Sequence, residues 1–177
     1  MNLNFRRYLP YALVIAGLLG LWYWSLSWGT PSDTNLQKRF SHNQVAFNSL
    51  VQMSNQDWHV VTVTSGFTWL DTDFAWPRKD IGFPQQRWDE YKRLFRELGL
   101  GVLSRRSDYP DSVFLIVSGS GVLGGIDKGY AYSPHPLSPI LQSLESSLPK
   151  NLFDSHGHAI AFKPLTKNWY IYREEDW

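Results

Sequence analysis

Cysteine is absent from this chain. That excludes disulfides, thiolate nucleophiles, cysteine-ligated zinc and a lipidated cysteine. Charge is absent over a long stretch: no Asp, Glu, Lys or Arg lies between residues 8 and 32. An excess of either charge sign is absent too, with 17 Lys and Arg against 16 Asp and Glu. Two of those basic residues, Arg6 and Arg7, precede the uncharged stretch, and the first 32 residues hold no acid; 15 basic residues then face 16 acidic ones in the remainder. A near-neutral domain lacks the clustered Lys and Arg that displace counterions from nucleic acid, so no nucleic-acid partner is expected.

Aromatic residues are plentiful, with nine Trp, nine Tyr and ten Phe in 177 residues. One core accommodates only part of so many rings, so some are expected at a surface. Hydrophobic content is 43% and charged content 19%, the composition of a folded chain rather than a disordered one. The residues after position 32 amount to one ordinary domain.

Residues 8–28 are apolar except for Ser25 and Ser27. A helix rising about 1.5 Å per residue over that length spans a hydrocarbon layer of roughly 30 Å. Pro10 falls in its first turn, where a missing N–H costs little. Trp22, Tyr23, Trp24 and Trp28 gather at one end and Tyr8 and Tyr11 at the other, as amphipathic rings do at headgroup level. The competing reading is a cleaved signal peptide. It needs small residues just before the cut, and here Trp22, Tyr23 and Trp24 follow the apolar core, with only Ser25-Leu26-Ser27 offering a small-x-small pattern. The expectation is therefore a short cytoplasmic tail at 1–7, a transmembrane helix at 8–28, a linker at 29–35 and one soluble domain at 36–177. Arg6 and Arg7 favour a cytoplasmic N-terminus, which Lys38 and Arg39 on the other side counterbalance in part. The address that follows is single-pass in a bacterial inner membrane, with a periplasmic domain.

Asp33 or Thr34 is placed to cap a helix whose apolar face is Leu36, Phe40, Phe47, Leu50 and Val51. Residues 58–64 read as a strand that residues 67–70 extend past a bend at Gly66. Pro84 opens an amphipathic helix with Trp88, Tyr91, Leu94, Phe95 and Leu98 on one face, ended by Gly99. Strands are expected at 101–105, 113–117 and 128–133, a short helix at 139–148 with Ile140, Leu141, Leu144 and Leu148 facing inward, and a closing hairpin at 159–163 and 168–172. This order lacks regular strand–helix alternation. It predicts an α+β domain with a mainly antiparallel sheet and helices on one face.

The run Gly125-Ile126-Asp127-Lys128-Gly129-Tyr130-Ala131-Tyr132-Ser133, the segment Leu141-Gln142-Ser143-Leu144 and the ending Asn168-Trp169-Tyr170-Ile171-Tyr172 resemble small uncharacterised bacterial membrane-anchored proteins and lipoproteins, in which a KGY-x-YS strand and an NWY-x-Y terminal strand recur. The resemblance implies an envelope setting and no particular activity. The lipoprotein members carry an acylated cysteine, which this chain lacks.

Four motifs invite a chemical reading. Gly119-Ser120-Gly121-Val122-Leu123-Gly124 matches G-x-G-x-x-G, but nucleotide binding requires a helix next, and a strand pattern follows, so a connection between strands is expected. Ser118 and Ser120 lie beside glycines without the G-x-S-x-G elbow. Asp154, His156 and His158 form a local set of metal-type side chains, with His59 or His135 as a distant candidate ligand, but at no usual zinc spacing; a surface loop is expected there, and no cofactor. Glu174, Glu175 and Asp176 read as a solvated tail.

The binding surface is expected where Phe67, Trp69, Phe74 and Trp76 fall within ten residues, with Asp71 and Asp73 between them. Loops on a rigid scaffold commonly carry function, and Trp is enriched at binding hot spots. The residues expected to contact a partner are Trp69, Asp71, Asp73, Phe74 and Trp76. The competing arrangement puts Phe67 and Trp69 on a core-facing strand. The functional expectation is a non-catalytic, membrane-tethered domain that binds an envelope protein or envelope component. The alternative is an envelope hydrolase, metal-dependent through Asp154, His156 and His158.

Overall fold

The computed structural model describes residues 30–70, 74–75, 83–119 and 125–176. The proposed transmembrane helix at 8–28 lies outside them. Among the described residues no helix is long and apolar enough to cross a membrane.

Among the described residues, two α-helices and eight strands make an α+β domain: α1 (Asp33–Gln56), β1 (Val60–Thr64), β2 (Thr68–Leu70), β3 (Phe74–Ala75), α2 (Gln85–Leu98), β4 (Val102–Arg106), β5 (Tyr109–Gly119), β6 (Ile126–Tyr132), β7 (His158–Thr166) and β8 (Trp169–Asp176), with one 3-10 turn at Lys150–Leu152. The strands form one sheet in the order β3-β2-β1-β4-β5-β6-β8-β7, with every ladder antiparallel.

Both helices bury their apolar stripes against the same sheet face. From α1 come Leu36, Phe40, Phe47, Leu50 and Val51; from α2 come Trp88, Tyr91, Leu94, Phe95 and Leu98; the sheet contributes Val63, Leu103, Leu115, Tyr130 and Ile171. The cap of α1 is Ser32, whose hydroxyl accepts from Asn35 N–H at 3.2 Å, rather than Asp33 or Thr34. Asp33 has another use, described below. Helix α2 opens after Pro84 and stops at Gly99, which adopts the left-handed φ of 63°. Arg39 of α1 reaches across to that end and donates to the Leu98 and Gly99 carbonyls.

Three further expectations need correction. Residues 67–70 do not extend β1. They fold back as β2, because Thr64 Oγ1 accepts the N–H groups of Gly66 and Phe67 and closes a tight turn. Residues 139–148 are not a helix. Their backbone donors go to distant acceptors instead: Leu141 N–H to the Phe162 carbonyl, Leu144 N–H to Asp33 and Leu148 N–H to Glu175. Leu144 and Leu148 are buried, but Ile140 is largely exposed. Finally, Glu174, Glu175 and Asp176 are not a tail. Strand β8 runs to Asp176 because β6 and β7 flank it on both sides.

The motif residues Lys128, Tyr130 and Trp169 all grip α1. Lys128, fully buried, lies 2.8 Å from Asp33 Oδ1 as an ion pair rather than a well-directed hydrogen bond. Tyr130 donates its hydroxyl to the Leu36 carbonyl at 2.9 Å. Trp169 packs on Phe40 and Phe47 and donates to Asn48 at 3.1 Å. Gly129, between Lys128 and Tyr130, permits a close strand approach: a Cβ there would sit 2.0 Å from the Leu115 carbonyl oxygen.

Candidate functional site

Cross-strand partners share a sheet face. Trp69 pairs with Thr62, Thr62 with Ser104, and Ser104 with Phe114. Phe114 belongs to a second apolar cluster, with Phe162, Tyr170 and Tyr172, on the face away from the helices. The register therefore turns Trp69 onto the helix-free face, while its neighbour Thr68, wholly buried, faces the core. Trp69 is 46% exposed and pairs with Phe74 of β3 at the sheet edge. Trp58, in the turn between α1 and β1, is 67% exposed and sets its ring edge-on to His59. Of the expected binding residues, Trp69 and the backbone of Phe74 are thus placed together, and Trp69 does not face the core. Asp71, Asp73 and Trp76 lie outside the described residues.

At the other end of the helix-free face, aromatic rings carry a charged group. Strand β5 bulges where it leaves β4: Asp111 adopts a φ of 62°, uncommon for a residue with a side chain. The bulge folds the β4–β5 hairpin tip inward, so that Tyr109 packs on Phe114 and Phe162. Arg106 stacks over Phe114 and Tyr109 and donates to both oxygens of Glu174 at 2.7 Å. His158 Nε2 lies 2.6 Å from Glu174 Oε1. Asp127 stands directly across from Glu174 on β6. Burial, then the carboxylates of Glu174 and Asp176, push Asp127 above its ordinary 3.8, with Arg106 pulling the other way. On the opposite face of the same strand, Glu175 is buried against Arg173.

The segment from Asp154 to His158 forms a tight turn. Asp154 Oδ1 accepts the N–H groups of His156 at 2.8 Å and His158 at 3.0 Å, and Gly157 takes a φ of 80°. Those two N–H groups, His158 first, hold the Asp154 carboxyl below its ordinary pKa. The turn breaks the extended geometry that would point His156 and His158 the same way. His156 is solvent-exposed, while His158 is engaged by Glu174. His135 is exposed beside Asp111, and His59 buries its Nε2 without a hydrogen-bond partner among the described residues. Among the described residues, no group of three His, Asp or Glu side chains is close enough to hold a metal ion.

The glycine run starting at Gly119 joins β5 to its direct neighbour β6, and a strand rather than a helix follows it. Ser118 lies within β5; residues 120–124 lie outside the described residues. Sequence reasoning missed Arg106, Asp127 and Glu174 as a group. They come from three strands, and only the long bulge in β5 brings Arg106 over. No match to this chain was found among protein-family models, curated proteins or solved structures.

Proposed function

We propose that this chain is a membrane-tethered, non-catalytic interaction domain of a bacterial envelope. Its tether is the apolar run at 8–28, its domain lies outside the cytoplasm, and its partner is an envelope protein or envelope component. The observation that carries the reading is the exposure of Trp69 on the helix-free sheet face, with Trp58 exposed in the turn before β1. Large, stiff rings give contact area at little ordering cost, and Trp is enriched among residues that dominate binding energy. We extend the binding surface from Trp69 through Asp71, Asp73 and Phe74 to Trp76, where carboxylates between rings suit a partner rich in hydrogen-bond donors.

The hydrolase alternative asks more of the molecule. Asp154 would have to leave the two N–H groups that it accepts, and His158 would have to leave Glu174. The test is to place a photo-crosslinking amino acid at Ser65, which is exposed in the β1–β2 turn, in the full-length chain within its membrane. A discrete crosslinked species is expected. It should disappear when Trp58 and Trp69 are replaced by Ala and when Asp71, Asp73 and Trp76 are, while the melting temperature holds. An identical crosslink in wild type and both variants would remove this surface from the account.

A further inference from the structure

Helix α1 has a single acidic residue, Asp33, and that carboxylate is buried against Lys128 and Lys163. The outward charges of the helix are therefore both basic: Lys38 and Arg39. With Asn35 and His42 they fall at positions i, i+3, i+4 and i+7, which is one stripe of a helix. The stripe lines an open cleft of about 400 Å³ bounded by Pro31, Asn35, Lys38, Arg39, His42 and Asn43. Asn43, at the cleft's end, has φ −124° and ψ 21°, which kinks the helix there. Arg39 is half committed, since its Nη1 caps α2. Lys38 and His42 present their side chains outward.

The stripe lies close to the proposed tether. Only residues 29–32 separate Trp28 from the first residue of α1, and the five steps between them reach about 18 Å at most. Lys128, Lys163 and the Leu144 N–H fix Asp33 to the sheet, so the domain begins as a rigid body at that point. The first basic residue of the stripe, Lys38, follows five residues later.

We infer that this face of α1 docks on the anionic phosphate headgroups of the bilayer in which the chain is anchored, with Lys38 as the main contact and the cleft beside it receiving a headgroup. This rests on the tether reading proposed above. A basic segment next to a membrane anchor is drawn to anionic lipid within about one Debye length, roughly 10 Å at 0.1 M salt. Docking would set the orientation of the whole domain, since α1 cannot pivot on the sheet.

Because the chain has no cysteine, a single one introduces a unique label. The full-length chain carrying Asn35→Cys with a fluorophore is placed in nanodiscs containing headgroup-spin-labelled lipid. A second version carries Gln52→Cys, about 25 Å further along the helix. In discs rich in phosphatidylglycerol, quenching is expected at 35 and not at 52. It should weaken in pure phosphatidylcholine, at 1 M salt, and in Lys38→Ala, where the docked population should fall roughly fivefold. Equal quenching in both lipids, unchanged by Lys38→Ala, or equal quenching at 35 and 52, would overturn headgroup docking and leave the tether standing. A chain that does not co-purify with the discs would overturn the tether and this inference with it.

Discussion

Lys128 and Asp33 meet 2.8 Å apart with both side chains buried, joining the middle of the sheet to the first turn of α1. Removing one partner of a buried pair leaves an uncompensated charge, at a cost of about 3–5 kcal/mol. Lys163, 3.0 Å from Asp33, offsets part of that charge, so Lys128→Met should lower stability by an amount at or below the lower end of that range, about 2–3 kcal/mol, in denaturant titration of the full chain. Tyr130→Phe, which removes one hydrogen bond to the Leu36 carbonyl, should cost only about 1 kcal/mol. Equal effects would mean that the ion pair is not what holds α1.

The same pair sets an acid limit. Burial alone would raise the Asp33 pKa, but Lys128, the Leu144 N–H and Lys163 together outweigh it and hold the group below its ordinary 3.8. A depressed carboxyl contributes stability that is fully present above the unfolded value and lost as pH falls through the folded one. Asp33→Asn should be less stable than wild type at pH 7, and the gap should narrow below about pH 4.

Asp127 should act with the opposite sign. Its pKa is raised in the fold, so its ionisation opposes folding as pH climbs above 3.8. Asp127→Asn should melt at a higher temperature than wild type at pH 7, with the advantage vanishing in acid, where both forms are neutral. A variant less stable at pH 7 would show that the carboxylate makes a contact worth more than its repulsion by Glu174.

The two helices and much of the sheet were legible in the sequence. Helix α2 shows its stripe from Trp88 to Leu98 between Pro84 and Gly99, and the closing hairpin shows its alternating rings. The 139–148 segment misled because its apolar spacing is helical while its N–H groups go to Phe162, Asp33 and Glu175, and no local pattern reports acceptors so far along the chain. The exposed position of Trp69 was half legible: the ring density was visible, but its face followed only from the register through Thr62 and Ser104. The Arg106–Glu174 contact was not legible at all, since it depends on the bulge at Asp111.

Two glycines and one core ring give further checks. Gly129→Ala should fail to fold or unfold far below wild type, because its Cβ would overlap the Leu115 carbonyl of the neighbouring strand. Gly99→Ala should be milder, adding left-handed strain and displacing Arg39 Nη1, which lies 2.7 Å from the new Cβ. Phe95→Ala should cost about 3–5 kcal/mol, as for a fully packed ring. An unchanged melting temperature for Phe95→Ala would mean that the inner face of α2 is misassigned.

Both functional proposals depend on the anchor, and alkaline carbonate extraction of the full-length chain, with sequencing of its N-terminus and a phosphatase fused after Trp177, tests it most directly. The account predicts a chain that stays in the membrane pellet, begins at Met1 or Asn2 and carries a phosphatase active outside the cytoplasm. A chain released into the supernatant and beginning near Trp28, or a phosphatase that is inactive while a cytoplasmic reporter at the same position fluoresces, would contradict it.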